Sequence, residues 1–163
     1  MLLINDSAIT YLYAYDFSNS WLLNATCAYL YMKNSAKVHV SRYLDVRVED
    51  SVGQDVPSAN VTATYPNATI AESKLTDSNG WARLTLMEKT MNVTGEYPIG
   101  NYTVKATYET HSADTSVHMI ENRQIALILE DFVIPEFPSL LILPLFMIAT
   151  LLAVILYRRK HTC

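Results

Sequence analysis

Apolar and polar positions alternate with a period of two from Tyr43 to Glu130, the pattern of strands that bury one face and wet the other. In YLDVRVED, Leu44, Val46 and Val48 share one face and Asp45, Arg47 and Glu49 the other. ANVTATY places Val61, Ala63 and Tyr65 inward, WARLTLM places Ala82, Leu84 and Leu86, and NYTVKATY places Tyr102, Val104, Ala106 and Tyr108. TSVHM and QIALILE add Val117, Met119, Ile125, Leu127 and Leu129, and a weakly patterned strand is expected near Thr69 to Lys74. Between these runs stand SVGQDVPS, YPN, TDSNG, TGEYPIG and THSAD, rich in the residues that turns require. Seven or so short strands with no helical period between them predict an all-β domain over residues 43–131, a two-sheet antiparallel sandwich.

Residues 1–42 follow a different rhythm. NDSAITYLYAYD, SNSWLLNATCAYLYM and KNSAKVHVS each set a polar Asn/Ser corner before a short apolar and aromatic strand, with Ser7, Ser20 and Ser35 as the repeated corner residues. These units resemble the last coils of a right-handed parallel β-helix, in which Asn and Ser stack at corners and aromatics stack between coils. Each such coil buries its face on the next, so three irregular units would not stand alone. The alternative is one more pair of hairpins joined to the sandwich, and the pattern leaves both open.

Leu140 to Tyr157 shows neither period. It carries no charge and holds twelve Leu, Ile, Val or Phe residues. As a helix it would be about 27 Å long, close to the roughly 30 Å of bilayer hydrocarbon. A transmembrane α-helix is therefore expected over 140–157, after an extended Pro-rich linker at 132–139 and before a basic tail at 158–163. Arg158, Arg159 and Lys160 put that tail in the cytoplasm and the remainder outside. MLLINDSAIT lacks the basic region and apolar length of a secretory signal, so the chain is expected to be a fragment of a longer exported protein, the alternative being that the anchor itself directs insertion.

Charge and sequons agree with an outside location. All 16 acidic residues precede Leu140, where nine of the 12 Lys and Arg lie, so the outer part stands at minus seven (9 minus 16) and the tail at plus three. A field of that sign repels phosphate backbones, which argues against a nucleic-acid partner. Ten Asn and 27 Ser plus Thr in 163 residues would give about two Asn-x-Ser/Thr triplets by chance, yet six occur, at Asn5, Asn24, Asn60, Asn67, Asn92 and Asn101. Glycosylation at these six is expected, over the alternative of an Asn- and Thr-rich polar surface. Cys27 and Cys163 would lie on opposite sides of the membrane and cannot pair within one chain.

Two further resemblances rest on specific residues. LDVRVEDSVGQDVPSANVTATYPN, then TDSNGWARLTL, then GNYTVKATY resemble the immunoglobulin-like or transthyretin-like modules of surface proteins, including the carboxypeptidase regulatory-like group. Asp50, Gly53, Val56, Pro57, Ala59, Thr76, Asp77, Gly80, Gly100, Tyr102 and Val104 carry that match. It implies a fold more than a function, since such modules act as spacers, adhesion units and stabilising appendages. IPEFPS, the apolar span and YRRK together resemble the archaeal PEF-type C-terminal sorting signal, through Pro135, Glu136, Phe137 and Pro138 with Arg158, Arg159 and Lys160. That resemblance implies an archaeosortase partner that cuts near the motif and joins the protein to a lipid. The alternative is an ordinary anchor, with the prolines starting its helix.

Reaction chemistry is sparse. The four glycines are scattered in turns, so no phosphate-cradling loop is expected, and no His-x-x-x-His, Cys-x-x-Cys or Gly-x-Ser-x-Gly spacing occurs. His111 with Ser112 and Asp114 reads as a solvated turn and not as a catalytic arrangement. Glu49, Asp50 and Asp55, and Asp77 with Asn79, offer oxygens that would suit calcium, but Asx turns use the same residues with no ion. No catalytic residue, metal or cofactor is assigned. The expected function is non-enzymatic: a structural or adhesive membrane-proximal module of a glycosylated archaeal surface protein, with the membrane, an archaeosortase and other surface proteins or glycans as partners. The alternatives are the stalk of a larger polysaccharide-acting β-helix enzyme and a carbohydrate- or ligand-binding module, for which Trp81, placed outward by alternation, is the hint.

Overall fold

A computed structural model of the chain describes residues 2–134, 147–152 and 157. It divides into two units, residues 1–133 and 134–163. The first unit is all β, with twelve strands: β1 (Leu2–Asn5), β2 (Ala8–Ala14), β3 (Asn19–Leu23), β4 (Thr26–Met32), β5 (Lys37–Asp50), β6 (Asn60–Thr64), β7 (Ile70–Leu75), β8 (Trp81–Asn92), β9 (Gly95–Pro98), β10 (Asn101–Tyr108), β11 (His111–His118) and β12 (Arg123–Leu129).

The first five strands form a parallel coil stack. β1 lies on β3 and β3 on the start of β5, with Leu2 opposite Ser20 and Ser20 opposite Val38, while β2 lies on β4 with Ala8 opposite Thr26. Each partner is 18 residues further along the chain. The expected repeat of Ser7, Ser20 and Ser35 is therefore replaced by an 18-residue one, and its corners are Asp and Asn. Asp6 and Asn24 turn with φ of 47° and 45°, and Asp16 and Asn34 with 57° and 59°. Asn and Asp enter this left-handed region more readily than other non-glycine residues because their short polar chains bond locally. The corners also stack, with Asn24 Nδ2 donating to Asp6 Oδ1 at 2.7 Å and Asn34 Nδ2 to Asp16 Oδ1 at 2.6 Å. Ser20 is instead buried inside β3.

Leu12, Ala14, Leu22, Ala25, Ala36, Val38 and Val40 fill the interior of the stack, closed by Met91 and by Ile9, Cys27, Leu30 and Met32. Ile9 and Leu12 both point inward although three residues apart, so each coil bends once, at Thr10 and again at Ala28. This shift of phase turns Tyr11, Tyr13, Tyr29 and Tyr31 outward together.

The third coil never closes. The next corner in the 18-residue series is Arg42, and there β5 runs straight on to Asp50. β8 follows it antiparallel from Lys37 opposite Asn92 to Arg47 opposite Trp81, with one shift of register between Val40 and Ser41. Two long strands thus belong to both the coil stack and the sandwich. The expected boundary between residues 42 and 43 falls inside β5, which runs unbroken from Val38 and Val40 in the core of the coil stack to Leu44, Val46 and Val48 in that of the sandwich, with the Arg42–Glu88 ion pair at 2.8 Å between the two.

The sandwich packs β12, β5 and β8 against a second sheet ordered β11-β10-β6-β7. Leu44, Val46, Val48, Ala82, Leu84, Leu86, Leu127 and Leu129 face Val61, Ala63, Tyr102, Val104, Ala106, Val117 and Met119, all buried. Tyr102 donates its hydroxyl to the Met87 carbonyl at 2.7 Å, which ties the two sheets together. Two features correct the sequence reading. β12 pairs parallel to β5, Arg123 opposite Leu44, so the sandwich is not purely antiparallel. TGEYPIG is not a single turn: Asn92 to Gly95 make the turn, and β9 then returns along β8.

In the second unit the described residues 147–152 and 157 are helical. Among the described residues no helix is long and apolar enough to cross a membrane. Pro135 to Pro138, most of the expected span at 140–157 and the basic residues Arg158, Arg159 and Lys160 lie outside the described residues.

Candidate binding surfaces

Three surfaces of the first unit concentrate aromatic or charged side chains. The first is the outer face of β2 and β4. Tyr11, Tyr13, Tyr15, Tyr29 and Tyr31 are all exposed there, beside Phe17. Tyr11, Tyr13 and Tyr15 form a row along the first coil, with ring centroids 6.3 Å apart at each step and interplanar angles of 17° and 7°. Tyr29 stacks on Tyr11 from the second coil at 5.1 Å, whereas Tyr31 is tilted against Tyr13 and Tyr15 at 6.0 Å from each. Aromatic pairs at such separations are mutually stabilising. The sequence reading found Trp81 as its hint of an exposed aromatic site; the alternation in YLYAY and YLYM carried a larger one.

The second surface lies on the opposite wall of the stack. Pairing sets Leu3, Trp21, His39, Thr90 and Tyr97 side by side across five strands. His39 stacks on Trp21 at 5.0 Å, and its Nδ1 lies 3.1 Å from Thr90 Oγ1. Burial, with Lys37 nearby, lowers the His39 pKa from its ordinary 6.5. The neutral ring is favoured in the fold, so below about pH 6.5 the unfolded chain binds the proton more readily and stability falls as pH drops toward the lowered folded value. The melting temperature is expected to fall between about pH 7 and pH 5, and His39→Gln to flatten that limb. An unchanged limb in thermal scans of the variant would remove His39 as its cause.

The third surface is a groove of about 370 Å3 on the sandwich, lined by Asp45, Asp77, Trp81, Arg83 and Gln124. Its charges are already matched. Arg83 forms a two-pronged pair with Asp45 at 2.7 and 2.9 Å and lies 5.0 Å above the Tyr43 ring. Trp81 is half-buried, and the Arg47 guanidinium lies over its indole at 5.9 Å. Arg47 also holds Glu49 at 2.7 Å and Asp55 at 2.8 Å.

The acidic turns have similar internal uses. Asp50 is buried, and its Oδ1 accepts from the backbone N–H groups of Val52 and Gln54. Asp77 Oδ1 accepts from those of Asn79 and Trp81. Among the described residues no group of three or more His, Cys, Asp or Glu is arranged to hold a metal. His111 is not in a turn but opens β11, with its ring 5.0 Å from Phe132. Ser112 and Asp114 alternate to the exposed face, away from that ring.

The six sequon asparagines occupy different settings. Asn60 and Asn101 open β6 and β10 and are exposed, and Asn67 is exposed in the turn after β6. In two sequons the Thr hydroxyl donates back to the Asn Oδ1, at 2.7 Å for Thr69 to Asn67 and 2.6 Å for Thr94 to Asn92. Asn5 Oδ1 accepts from the Tyr43 hydroxyl at 3.1 Å. Asn24 is the middle rung of a ladder, accepting from Asn122 at 2.6 Å while donating to Asp6.

No family model matches this chain, and no curated protein matches it. Among solved structures it is similar to the Bacillus anthracis TIE protein, at 18% identity over 62% of this chain and 18% of that one, with a TM-score of 0.43. It is also similar to the shaft pilin SpaA of Lactobacillus rhamnosus GG, at 12% identity over 57% of this chain and 49% of that one, TM-score 0.46. A third likeness is to Klebsiella pneumoniae 5-hydroxyisourate hydrolase, at 15% identity over 56% of this chain and 91% of that one, TM-score 0.38. The chain thus spans less than half the length of the first two proteins. These likenesses are too distant to assign a role to any residue.

Proposed function

We propose that this chain is a non-enzymatic structural module of a cell-surface protein: the membrane-proximal end of a glycosylated archaeal polypeptide, tethered through its C-terminal segment. The observation that supports this reading best is the pair of strands β5 and β8, which run as one antiparallel ladder from the coil stack into the sandwich. A joint of that kind suits a stalk, since neither half can rotate against the other without breaking the shared ladder. The exposed settings of Asn60, Asn67 and Asn101 suit glycan attachment, whereas a glycan on Asn24 would compete with its ladder. The tail follows the sorting resemblance: an archaeosortase acts at Pro135 to Pro138, and the apolar span with Arg158, Arg159 and Lys160 is removed.

Mass spectrometry of the mature protein from its native host tests this directly. The expected result is a C-terminus near Pro135 to Pro138 carrying a lipid adduct, with glycopeptides at Asn60, Asn67 and Asn101. An intact peptide spanning Arg158 to Cys163 as the dominant species would sink processing and leave an anchor. Recovery of all three sequon peptides without sugar would sink the glycoprotein reading.

A further inference from the structure

Tyr11 and Tyr29 are the closest pair in the tyrosine cluster. They stand directly opposite each other on β2 and β4, with ring centroids 5.1 Å apart and ring planes 18° from parallel. Adjacent strands lie about 4.8 Å apart, so strand pairing alone brings these two rings into contact. Along one strand, every second residue is about 6.6 Å away, and Tyr13 accordingly stands 6.3 Å from Tyr11 and from Tyr15. Tyr31 is 6.0 Å from Tyr13 and from Tyr15 and is tilted against both.

Both members of the close pair are accessible, Tyr11 at 59% exposure and Tyr29 at 63%. The alternation in β2 and β4 sends them out through the side wall of the stack, a direction that does not depend on what adjoins the first coil. Tyr29 is open for a second reason, internal to the described residues: β5 runs straight on, and β4 pairs only with β2. Cys27, whose thiol would consume a phenoxyl radical, packs against the interior on the other side of β4.

We propose that Tyr11 and Tyr29 form an oxidative cross-linking site, at which hydrogen peroxide and a haem peroxidase convert the stacked pair into a dityrosine bridge between the first and second coils. Each phenol gives up one electron and its hydroxyl proton. The two phenoxyl radicals join through ring carbons ortho to their oxygens, and the hydrogens on those carbons move to the oxygens, which restores both phenols. Two tyrosines and one hydrogen peroxide thus give one bridge and two waters. The paired strands hold the partners together, so coupling within the pair outruns encounters between molecules. The bridge fastens the first coil to the second, and the inference rests neither on the surface-module reading nor on how the C-terminal tail is processed.

In the test, the full chain in mild detergent is treated with a haem peroxidase and limiting peroxide, then cut on the N-terminal side of aspartate. The peptide from Asp6 to Tyr15 carries Tyr11, and that from Asp16 to Leu44 carries Tyr29. The bridge is expected as these two peptides joined, lighter than their sum by two hydrogen atoms and fluorescent as dityrosine. It should come from monomeric protein, with fragmentation placing the new bond at Tyr11 and Tyr29. Tyr11→Phe and Tyr29→Phe keep the ring and lose the phenol, and each is expected to lower the joined product by about tenfold or more. Tyr97→Phe, on the opposite wall, should leave the yield unchanged, and circular dichroism establishes that all three variants stay folded. Equal yield from protein unfolded in urea overturns the inference, as does a bond placed mainly at another tyrosine pair. Covalent dimers as the main product, or a Tyr29→Phe variant that couples as well as the parent, overturn it too.

Discussion

Replacing Leu44 with alanine is expected to destabilise the fold by about 2–5 kcal/mol, the usual cost of emptying a fully buried leucine site. Leu44 is completely buried, opposite Leu84 on β8 and Arg123 on β12. It lies where β5 leaves the coil stack and enters the sandwich, so the cavity opens beside the shared ladder and both halves should lose stability together. The chain carries its own reporters, Trp21 in the coil stack and Trp81 in the sandwich. In urea titrations of versions keeping one tryptophan each, Leu44→Ala should lower both fluorescence midpoints by the same amount. A shift of the Trp81 midpoint with the Trp21 midpoint unmoved would show that the two halves unfold separately.

The second large effect is expected at Gly80. Its φ is +72°, and an added Cβ would lie 2.8 Å from the Val48 carbonyl oxygen and 3.2 Å from Asp55 Cβ and Val56 N. An L side chain in that region costs about 1–2 kcal/mol, and forcing backbone atoms apart costs about 1–3 kcal/mol more. Gly80→Ala should therefore lose about 2–5 kcal/mol, the sum of the two. Gly53 separates the contributions. Its φ is +85° but nothing lies within 4 Å of an added Cβ, so Gly53→Ala should lose only about 1–2 kcal/mol. Equal losses for the two variants in urea denaturation would show that the contact with Val48 relaxes freely and that backbone conformation alone matters.

The contrast between those two glycines marks what the sequence could convey. TDSNG and SVGQD both read as turns, and both are turns, but only the fold brings Val48 against Gly80. Strand faces were legible because burial follows alternation: the expected inward residues Leu44, Val46, Val48, Leu84 and Val104 are buried as a set. Parallel pairing left no such mark, since β12 would alternate identically beside any neighbour. The coil repeat was hidden because its corners change residue type, Asp6 to Asn24 and Asp16 to Asn34, while the bends at Thr10 and Ala28 shift the inward phase within each coil. β9 was read as turn because Gly95 and Gly100 bracket it and Pro98 closes it. The tyrosine row was legible in outline, as YLYAY, but its exposure depended on that same shift of phase. Asn24 shows the opposite case: a triplet that reads as a glycan acceptor is also a structural rung.

The parallel pairing of β12 with β5 has a mechanical meaning. β12 runs from Arg123 beside Leu44 to Leu129 beside Asp50, in the direction that leads away from the coil stack. Tension applied at Val133 and resisted by the first coils pulls β12 lengthwise along β5. The seven paired positions from Arg123 to Leu129 are then sheared as a group and not peeled one at a time. A strand held in that way yields only when the whole ladder slips, which makes β12 a clamp placed where the chain leaves the sandwich.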